Sequence, residues 1–348
     1  MKEKKLFGKT RNGEDVYEYT VNNGEASFSV LTYGATLRTL TVPSESGNTD
    51  VVLGYDSVSE YENNDGYLGA TVGRNANRIK DGKFDIYGVP YAVTINEKSK
   101  SNNLHGGFCG FDSQIWNVLD SGDNENSVEM SLFSKNGTDG FPGDVLAYAR
   151  FSLDKTTLTV EYTAKTDKNT VCNMTNHAYF NLNGAGEDGA HDVYLKIDSD
   201  YFTPVDENLV TTGEILSVSG TPFDFTDFKQ IKKEENADNE QIKIMNGYDV
   251  NYCLGTDGGL NLAATAASEK TGIIMKVFTT RPAIQFYSAC CLTERKGKNN
   301  KIYRKNSAFC LETQTYPCAV SHPHFPTALL KTNEKFRSVT KFEFTKKG

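Results

Sequence analysis

Three stretches of the sequence place side chains that can transfer protons next to apolar or aromatic residues. His177 lies in "NMTNHAYFNL", which otherwise reads as a strand entering a turn. Glu312 follows apolar residues in "AFCLETQTYP", and Asp249 lies between Tyr248 and Tyr252. Histidine and carboxylate side chains are common general acids and bases. A core histidine or a paired carboxylate would give the same local patterns, so each residue alone leaves catalytic and structural roles open.

The other four histidines have different surroundings. Two glycines follow His105 in "NNLHGGFCGFD", which predicts a tight turn that can approach a ligand closely. We expect His191 at an exposed strand start, and His322 and His324 in the proline-containing loop "SHPHFP". A zinc site could be formed by Cys318, His322 and His324, but no fourth ligand is evident nearby. Surface or core roles are therefore expected for these three histidines.

Arginines and aromatic residues suggest further roles. Arg74 and Arg78 lie four residues apart in "GRNANRI". The glycine density is too low for a phosphate loop, so structural salt bridges are the simplest expectation. Aromatic residues such as Tyr179, Phe286 and Tyr287 lie beside polar ones. That combination suits a sugar, which has apolar C–H faces and hydroxyl edges, although β proteins are rich in core aromatics.

The composition restricts the classes of partner. The 348 residues include 37 Lys and Arg against 45 Asp and Glu, a formal net charge of −8. This balance disfavours nucleic acid and anionic membrane surfaces as partners. No run of 18 apolar residues occurs, and the charged N-terminus does not resemble a secretory signal. The seven cysteines form no C-x-x-C pair, which favours free thiols in a reducing cytoplasm over disulfides or a zinc ribbon.

The elements that must position these side chains are mostly strands. Apolar and polar residues alternate in "LTVEYTAKT", "DVYLKID" and "SVTKFEF", and "KFDIYGVPYAVTI" predicts a hairpin that turns near Gly88. Helical signals are limited to "DSVSEYENN", where Ser57 and Glu60 match a capping box, and "ENADNEQIKIM". Residues 229–239 are expected to form a surface loop. We predict an all-β fold, one large antiparallel sandwich or barrel domain over residues 1–348 with a few short helices.

Seven stretches, taken together and in order, resemble the aldose 1-epimerase (mutarotase) family. They are "GRNANRI", "LHGGFCGFDSQIW", "DGFPGD", "NHAYFNL", "GYDVNY", "RPAIQFY" and "FCLETQTYP", which span residues 73–317. Each is weak alone, but seven in the same order are specific. The resemblance implies a single-domain antiparallel β-sandwich, the galactose mutarotase-like supersandwich, whose concave face holds the sugar. It implies neither a metal nor a cofactor.

The resemblance also assigns roles to residues. It implies Glu312 as the catalytic base, His177 as the catalytic acid and His105 as a second histidine of the site. The implied sugar-binding residues are Asn77, Arg78, His105, Tyr179, Asp249 and Gln285. Two departures put sugar preference in doubt. Val250 replaces a common histidine, and residues 288–290, Ser-Ala-Cys, replace a common Thr-Gly-Asn.

The implied reaction interconverts the α and β anomers of free hexoses such as galactose and glucose. A base takes the proton of the C1 hydroxyl while an acid protonates the ring oxygen O5. With ordinary pKa values of about 4.3 for glutamate and about 6.5 for histidine, Glu312 is ready to accept and His177 is partly protonated near pH 7. No unusual tuning of either group is therefore expected. We expect a cytoplasmic monomer or homodimer with a small-molecule sugar as its partner.

Two alternatives remain open. A hexose-6-phosphate 1-epimerase shares the fold but needs basic residues at the phosphate end of the pocket, where Arg74, Arg281 or Lys80 are candidates. A sugar-binding protein without catalysis is the other. The presence of both Glu312 and His177 argues against it.

Overall fold

The computed structural model describes residues 1–63, 66–119, 125–255 and 257–347, and strands dominate it. In chain order the strands are β1 (Lys2–Lys9), β2 (Asp15–Asn22), β3 (Ser27–Leu31), β4 (Thr36–Ser44), β5 (Gly47–Asp50), β6 (Thr71–Val72), β7 (Arg78–Ile79), β8 (Lys83–Ile86), β9 (Val89–Ala92), β10 (Asn103–Leu104), β11 (Asn117–Leu119), β12 (Ser127–Ser134), β13 (Val145–Asp154), β14 (Thr157–Thr166), β15 (Thr170–Val171), β16 (Thr175–Asn176), β17 (Tyr179–Phe180), β18 (Tyr194–Ile197), β19 (Tyr201–Thr203), β20 (Leu216–Ser217), β21 (Lys229–Gln230), β22 (Asp249–Cys253), β23 (Asn261–Ala267), β24 (Ile273–Thr279), β25 (Ala283–Tyr287), β26 (Arg295–Lys296), β27 (Ile302–Tyr303), β28 (Phe309–Gln314), β29 (Leu329–Leu330) and β30 (Phe336–Lys346). The α-helices are α1 (Val58–Glu62) and α2 (Glu240–Met245). Short 3₁₀ turns cover Lys80–Gly82, Phe111–Ser113, Thr138–Gly140, Ala190–Asp192, Ile231–Lys233, Lys298–Asn300 and Ala319–Ser321.

Two large antiparallel sheets face each other. One has nine strands in the order β11-β12-β13-β14-β30-β24-β23-β18-β21, and the other has six in the order β17-β28-β25-β22-β19-β20. The Thr313 hydroxyl in β28 hydrogen-bonds to the Thr340 hydroxyl in β30 at 2.5 Å, and the ring centroids of Phe180 and Phe342 are 5.1 Å apart. These contacts join the two sheets, so the predicted all-β sandwich is confirmed. A third sheet contains β1 to β5 in sequence order.

The alternating sequence patterns form strands as predicted. In β14, Leu158, Val160, Tyr162 and Ala164 are buried on one face. Strands β8 and β9 form the predicted hairpin on either side of Gly88, whose φ of 84° is readily adopted by glycine. Both predicted helices also form, as α1 and α2. None of the helices in the described ranges is long and apolar enough to cross a bilayer.

A single cluster of buried apolar side chains receives residues from all three sheets. Phe28 of β3 packs against Phe151 of β13, with ring centroids 6.4 Å apart. Phe286 of β25 belongs to the same cluster. A single domain over residues 1–348 stays a prediction, and this shared core supports it.

Three local expectations were wrong. Ser57 does not cap α1 with its side chain; its hydroxyl donates to Glu60 at 2.7 Å instead. His191 is not at an exposed strand start, because it lies in a 3₁₀ turn and is 5% exposed. Its Nδ1 lies 2.5 Å from the Glu235 carboxylate, a contact that local sequence cannot reveal. Residues 229–239 are not only loop, since β21 forms an edge of the nine-stranded sheet.

Candidate active site

The outward face of the six-stranded sheet carries a row of polar side chains. Since side chains alternate along a strand, β22, β25 and β28 send one set into the core and the other set outward. The core set is Val250, Tyr252, Ile284, Phe286, Phe309 and Leu311. On the outward face Gln285 is paired in register with Glu312, and Asp249 with Tyr287. Strand pairing therefore brings together residues that are far apart in sequence.

His177 lies beside this row, just before β17. Its Nε2 is 3.7 Å from Oε1 of Glu312, and both side chains are buried. The imidazole ring lies between two tyrosine rings, with Tyr179 stacked at a centroid distance of 5.0 Å and Tyr67 at 6.0 Å. Nδ1 of His177 and Oε2 of Glu312 have no hydrogen-bond partner among the described residues. The pair therefore has unused polar atoms close to a cavity.

His105 is held by a reciprocal contact with Asn77. The Asn77 backbone N–H donates to Nδ1 of His105 at 3.1 Å, and the His105 backbone N–H donates to the Asn77 carbonyl at 3.2 Å. In a neutral imidazole with Nδ1 as acceptor, Nε2 carries the proton. His105 therefore presents an N–H donor at Nε2. The predicted tight turn is present after it, since a Cβ on Gly106 would lie 2.0 Å from the Gly73 carbonyl oxygen.

Arg78 is enclosed by two carboxylates. Its Nε and Nη2 donate to Glu97 at 3.0 and 2.9 Å, and Nη1 lies 3.5 Å from Asp249. Gln285 in turn donates to Asp249 at 2.7 Å. Burial by itself would lower the pKa of Arg78, but the charges of Asp249 and Glu97 raise it above its usual range. The guanidinium is therefore a fixed positive charge.

These groups line a cavity of about 250 Å³. Seven of the eight predicted site residues form part of its wall, namely Asn77, Arg78, His105, His177, Tyr179, Asp249 and Glu312. Gln285 is not part of this wall and lines a smaller adjoining cavity with Asp249. A concave site with convergent polar groups and aromatic walls is what a small polar ligand requires.

Comparisons with known proteins match the chain over nearly its whole length. The sequence profile of the aldose 1-epimerase family matches residues 17–343. The chain belongs to the aldose 1-epimerase family. It is 38% identical to the galactose mutarotase of Sus scrofa, covering 98% of this chain and 97% of that protein. It is 34% identical to the aldose 1-epimerase of Escherichia coli, covering 93% of each.

Solved structures of the aldose 1-epimerase family share the fold. An aldose epimerase homologue from C. elegans superposes with a TM-score of 0.86 at 31% identity, covering 94% of this chain and 98% of that one. The family assignment made from the seven ordered motifs is therefore confirmed, as is the sandwich architecture.

Burial changes the protonation expected of the epimerase site. Burial, and then the charge of Asp249, raises the pKa of Glu312 well above its ordinary value, with Arg78 opposing. Burial lowers the pKa of His177 to about 4. The expectation that both groups titrate near ordinary values was wrong, since desolvation penalises the charged form of each. Burial therefore shifts both groups toward their neutral forms, the carboxyl of Glu312 and the imidazole of His177.

The second histidine of the epimerase site is also neutral. Burial lowers the pKa of His105 well below its usual value, and the charge that His177 carries when protonated and the charge of Arg78 act in the same direction. This agrees with the tautomer fixed by Asn77. Although His105, His177 and Glu312 have ligand atoms within 4.8 Å of one another, a protonated Nε2 on His105 is unsuited to a metal ligand.

Two of the predicted sugar-binding residues have other contacts. The Tyr179 hydroxyl donates to the Gly66 carbonyl at 2.7 Å, so its remaining contribution to the cavity is an acceptor oxygen and a ring stacked on His177. Gln285 orients Asp249. Direct sugar contact by Gln285 therefore stays a prediction, and the structure gives it a positioning contact instead.

The departures from the family pattern lie mostly away from the cavity. Val250 points into the core and is 2% exposed. Ser288, Ala289 and Cys290 are buried as well. Val250 follows Asp249, which lines the cavity, but the Val250 side chain alternates to the core side of β22. Cys291, which directly follows Cys290, does line the cavity.

Sequence reasoning missed several cavity residues. Glu97 lies in a polar stretch that reads as surface, and Tyr67 follows a glycine with no distinctive pattern. Tyr287 was noted in the sequence only as an aromatic residue beside polar ones. It lies two residues after Gln285 in β25, and this spacing places both side chains on the outward face of the strand. Arg295 also lines the cavity. Only the folded chain brings these residues together.

The remaining candidates have structural contacts. Arg74 donates to the carbonyls of Ser134, Lys135, Pro142 and Gly143 and forms no salt bridge within the described part of the chain, whereas the salt bridge expected of Arg78 is confirmed. His322 and His324 lie 3.1 and 2.8 Å from the carbonyl oxygens of Thr211 and Gly213. The Cys318 sulfur donates to the Arg78 carbonyl.

Proposed function

We propose that this protein is an aldose 1-epimerase that interconverts the α and β anomers of free hexoses such as galactose and glucose. The observation that carries the proposal is the 3.7 Å separation of His177 and Glu312 at the wall of a small polar cavity. The C1 hydroxyl and the ring oxygen of a hexose are attached to the same carbon. An acid and a base that serve both oxygens must therefore lie close together, as these two do.

Ring opening requires one proton to leave and one to arrive. Glu312, as a carboxylate, takes the proton of the C1 hydroxyl, and His177, as an imidazolium, delivers a proton to O5. The C1–O5 bond breaks and an aldehyde forms at C1. Rotation about C1–C2 and the reverse transfers close the ring with the other configuration. This reactive form carries one proton on the pair, on His177 rather than on Glu312.

Neighbouring groups favour that reactive form. The faces of Tyr67 and Tyr179 lie on either side of His177, and aromatic faces attract a cation. His105 contributes its Nε2–H donor, which opposes negative charge that develops on a sugar oxygen. Catalysis by positioned proton donors and acceptors accelerates reactions by roughly 10²–10⁴-fold.

Sugar recognition falls to the charged and amide groups around the cavity. Arg78 and Asp249 present a fixed donor and a fixed acceptor, and Asn77 lies next to them. A site built to hydrogen-bond particular hydroxyls discriminates strongly against sugars that lack them. The names of the galactose mutarotase relatives support galactose as a substrate.

Polarimetry on freshly dissolved α-D-galactose and α-D-glucose tests the proposal directly. The protein should accelerate the approach of optical rotation to its equilibrium value, in proportion to protein concentration. Heat-denatured protein serves as the control. Equal rates with native and denatured protein on both sugars would exclude the activity.

A hexose 6-phosphate is the second candidate substrate. Arg74 and Arg281 are engaged elsewhere, since Arg74 binds four carbonyls and the Arg281 guanidinium lies 5.1 Å from the Phe336 ring centroid. Lys80 is exposed and does not line the cavity. Arg295 does line it, so a phosphate would have to reach Arg295. Faster mutarotation of glucose 6-phosphate than of glucose would favour this alternative.

Compartment and assembly remain proposals. All seven cysteines are free, which supports a reducing compartment such as the cytoplasm. A monomer or a homodimer is expected. Galactose binding with no change in anomerisation rate would favour a sugar-binding protein without catalysis.

A further inference from the structure

Two adjacent thiols lie at the edge of the candidate active site. Cys291 is exposed and lines the same cavity as His177 and Glu312. Cys290 is 3% exposed, and its sulfur lies 3.8 Å from that of Cys291. The proposed mechanism uses neither sulfur. An exposed thiol on the wall of a ligand cavity, here Cys291, is a candidate for chemical modification.

The surroundings of Cys291 favour its reactive form. Its hydrogen bond with the Cys290 thiol is the main cause that lowers the Cys291 pKa to about 7, and the charges of Lys305 and Arg78 act in the same direction. Burial and the charge of Asp249 oppose them. Because the thiolate is the nucleophile in exchange reactions, a lowered pKa increases the reactive fraction near neutral pH.

Cys291 is also connected to the catalytic pair. Its backbone N–H donates to the Tyr287 hydroxyl at 3.1 Å. The Tyr287 ring meets the His177 ring edge-on at a centroid distance of 6.3 Å and the Tyr179 ring at 6.0 Å. A group attached to Cys291 would therefore occupy space beside the rings that hold the proposed acid.

We propose that Cys291 is a thiol-modification site that exchanges with low-molecular-weight disulfides, and that the attached group closes the cavity to sugar. The Cys291 thiolate attacks one sulfur of the disulfide RS–SR, a new S–S bond forms at Cys291, the old S–S bond breaks, and RS⁻ leaves. A reducing thiol reverses the reaction. The blocking of sugar rests on the proposed function, whereas the exchange itself does not.

The chain offers a matched control in Cys109. It is also exposed but does not line the cavity, and burial, with the charges of Asp139 and Asp112, raises its pKa. The variants C109S and C291S each retain one of these two exposed thiols. The probe is the aromatic disulfide 5,5′-dithiobis(2-nitrobenzoate), which releases one coloured thiolate for each exchange.

Thiolate release is measured with and without galactose, alongside galactose binding by calorimetry before and after modification. In C109S, release at Cys291 should slow about tenfold at a galactose concentration of about ten times its Kd, since only about a tenth of the sites are then free. Modified C109S should lose galactose binding, and dithiothreitol should restore it. In C291S, galactose should not change the release rate, and modification should not change binding.

Two outcomes would overturn the inference: a release rate at Cys291 that galactose leaves unchanged, or equal galactose binding by modified and unmodified C109S. Neither readout uses mutarotation. If the protein binds galactose but does not accelerate its mutarotation, the proposed function is contradicted, and both readouts still test the role of Cys291.

Discussion

Nε2 of His177 and Oε1 of Glu312 lie 3.7 Å apart, and the side chains are 6% and 3% exposed. The proposed reaction needs one acid and one base from this pair, so the form of the pair that carries one proton is the reactive one. With two protons the pair has no base, and with none it has no acid.

Replacing Glu312 by glutamine should abolish most of the mutarotase activity. The amide keeps the shape of the carboxyl but cannot accept the C1 proton, so kcat should fall by roughly 10²–10⁴-fold. Polarimetry measures the loss, and circular dichroism checks the fold. Glu161→Gln is the matched control, because Glu161 lies in β14 and pairs with Arg337 far from the cavity. Wild-type rates in the Glu312 variant would refute the assignment of the base.

Replacing His177 by asparagine should have a similar effect, because the amide cannot donate a proton to O5. Groups that act as a unit are not additive. The double variant Glu312→Gln/His177→Asn should therefore be about as slow as the slower single variant. A double variant whose losses multiply would indicate two independent roles. An unchanged kcat in the His177 variant would exclude it as the acid.

The pH dependence of kcat/KM should show a plateau bounded by the lowered pKa of His177 and the raised pKa of Glu312. As the pH falls through about 4, the lowered pKa of His177, the pair acquires a second proton and loses its base. As the pH rises through the elevated pKa of Glu312, the pair loses its remaining proton and with it the acid. Because kcat/KM reports the free enzyme, polarimetry at low sugar concentration should reveal both limbs. A rate that falls on acidification through pH 6.5 would contradict the burial effect on His177.

The same carboxyl should make folding stability depend on pH. The pKa of Glu312 is higher in the folded than in the unfolded chain, so its stabilising contribution is complete below the unfolded value and is lost as pH rises through the folded value. The stability of Glu312→Gln relative to wild type should therefore increase with pH, by at most about 1.4 kcal/mol per pH unit in that interval. Urea unfolding at pH 5 and pH 8 measures this. A difference that is constant across pH would show that Glu312 is not desolvated.

Replacing Glu97 by glutamine should weaken sugar binding through Arg78. The guanidinium loses one of its two carboxylates, so it can shift from its position beside Asp249, and KM for galactose should rise more than kcat falls. Removing one partner of a buried ion pair costs about 3–5 kcal/mol of stability. Because water partly screens the pair of Arg78 and Glu97, the loss of stability in this variant should be about 3 kcal/mol or less. Glu187→Gln is the control, because its pair with Lys301 is exposed and such pairs contribute about 0–1 kcal/mol. Equal effects of the two substitutions on KM would argue against this role.

Much of the fold and the types of the active-site residues were accessible from sequence. Alternation in residues such as Leu158 and Val160 specifies strands, because a half-buried strand must separate apolar and polar faces. The ordered motifs around Arg78, His105, His177 and Glu312 were sufficient to indicate the family. Both signals are local, or depend on order along the chain, and neither requires knowledge of contacts.

Contacts between distant segments were decided only by the tertiary structure. Glu97 reads as a surface residue, and its pairing with Arg78 appears only when β7 and the loop that carries Glu97 meet. His191 looked exposed because its partner, Glu235, is 44 residues away.

The sequence by itself therefore determined that this chain is a β-sandwich of the aldose 1-epimerase family with a histidine and a glutamate suited to proton transfer. The tertiary structure decided the directions in which their pKa values are shifted, upward for Glu312 and downward for His177. Desolvation depends on how completely the surrounding chain excludes water, and that is a property of packing rather than of residue type.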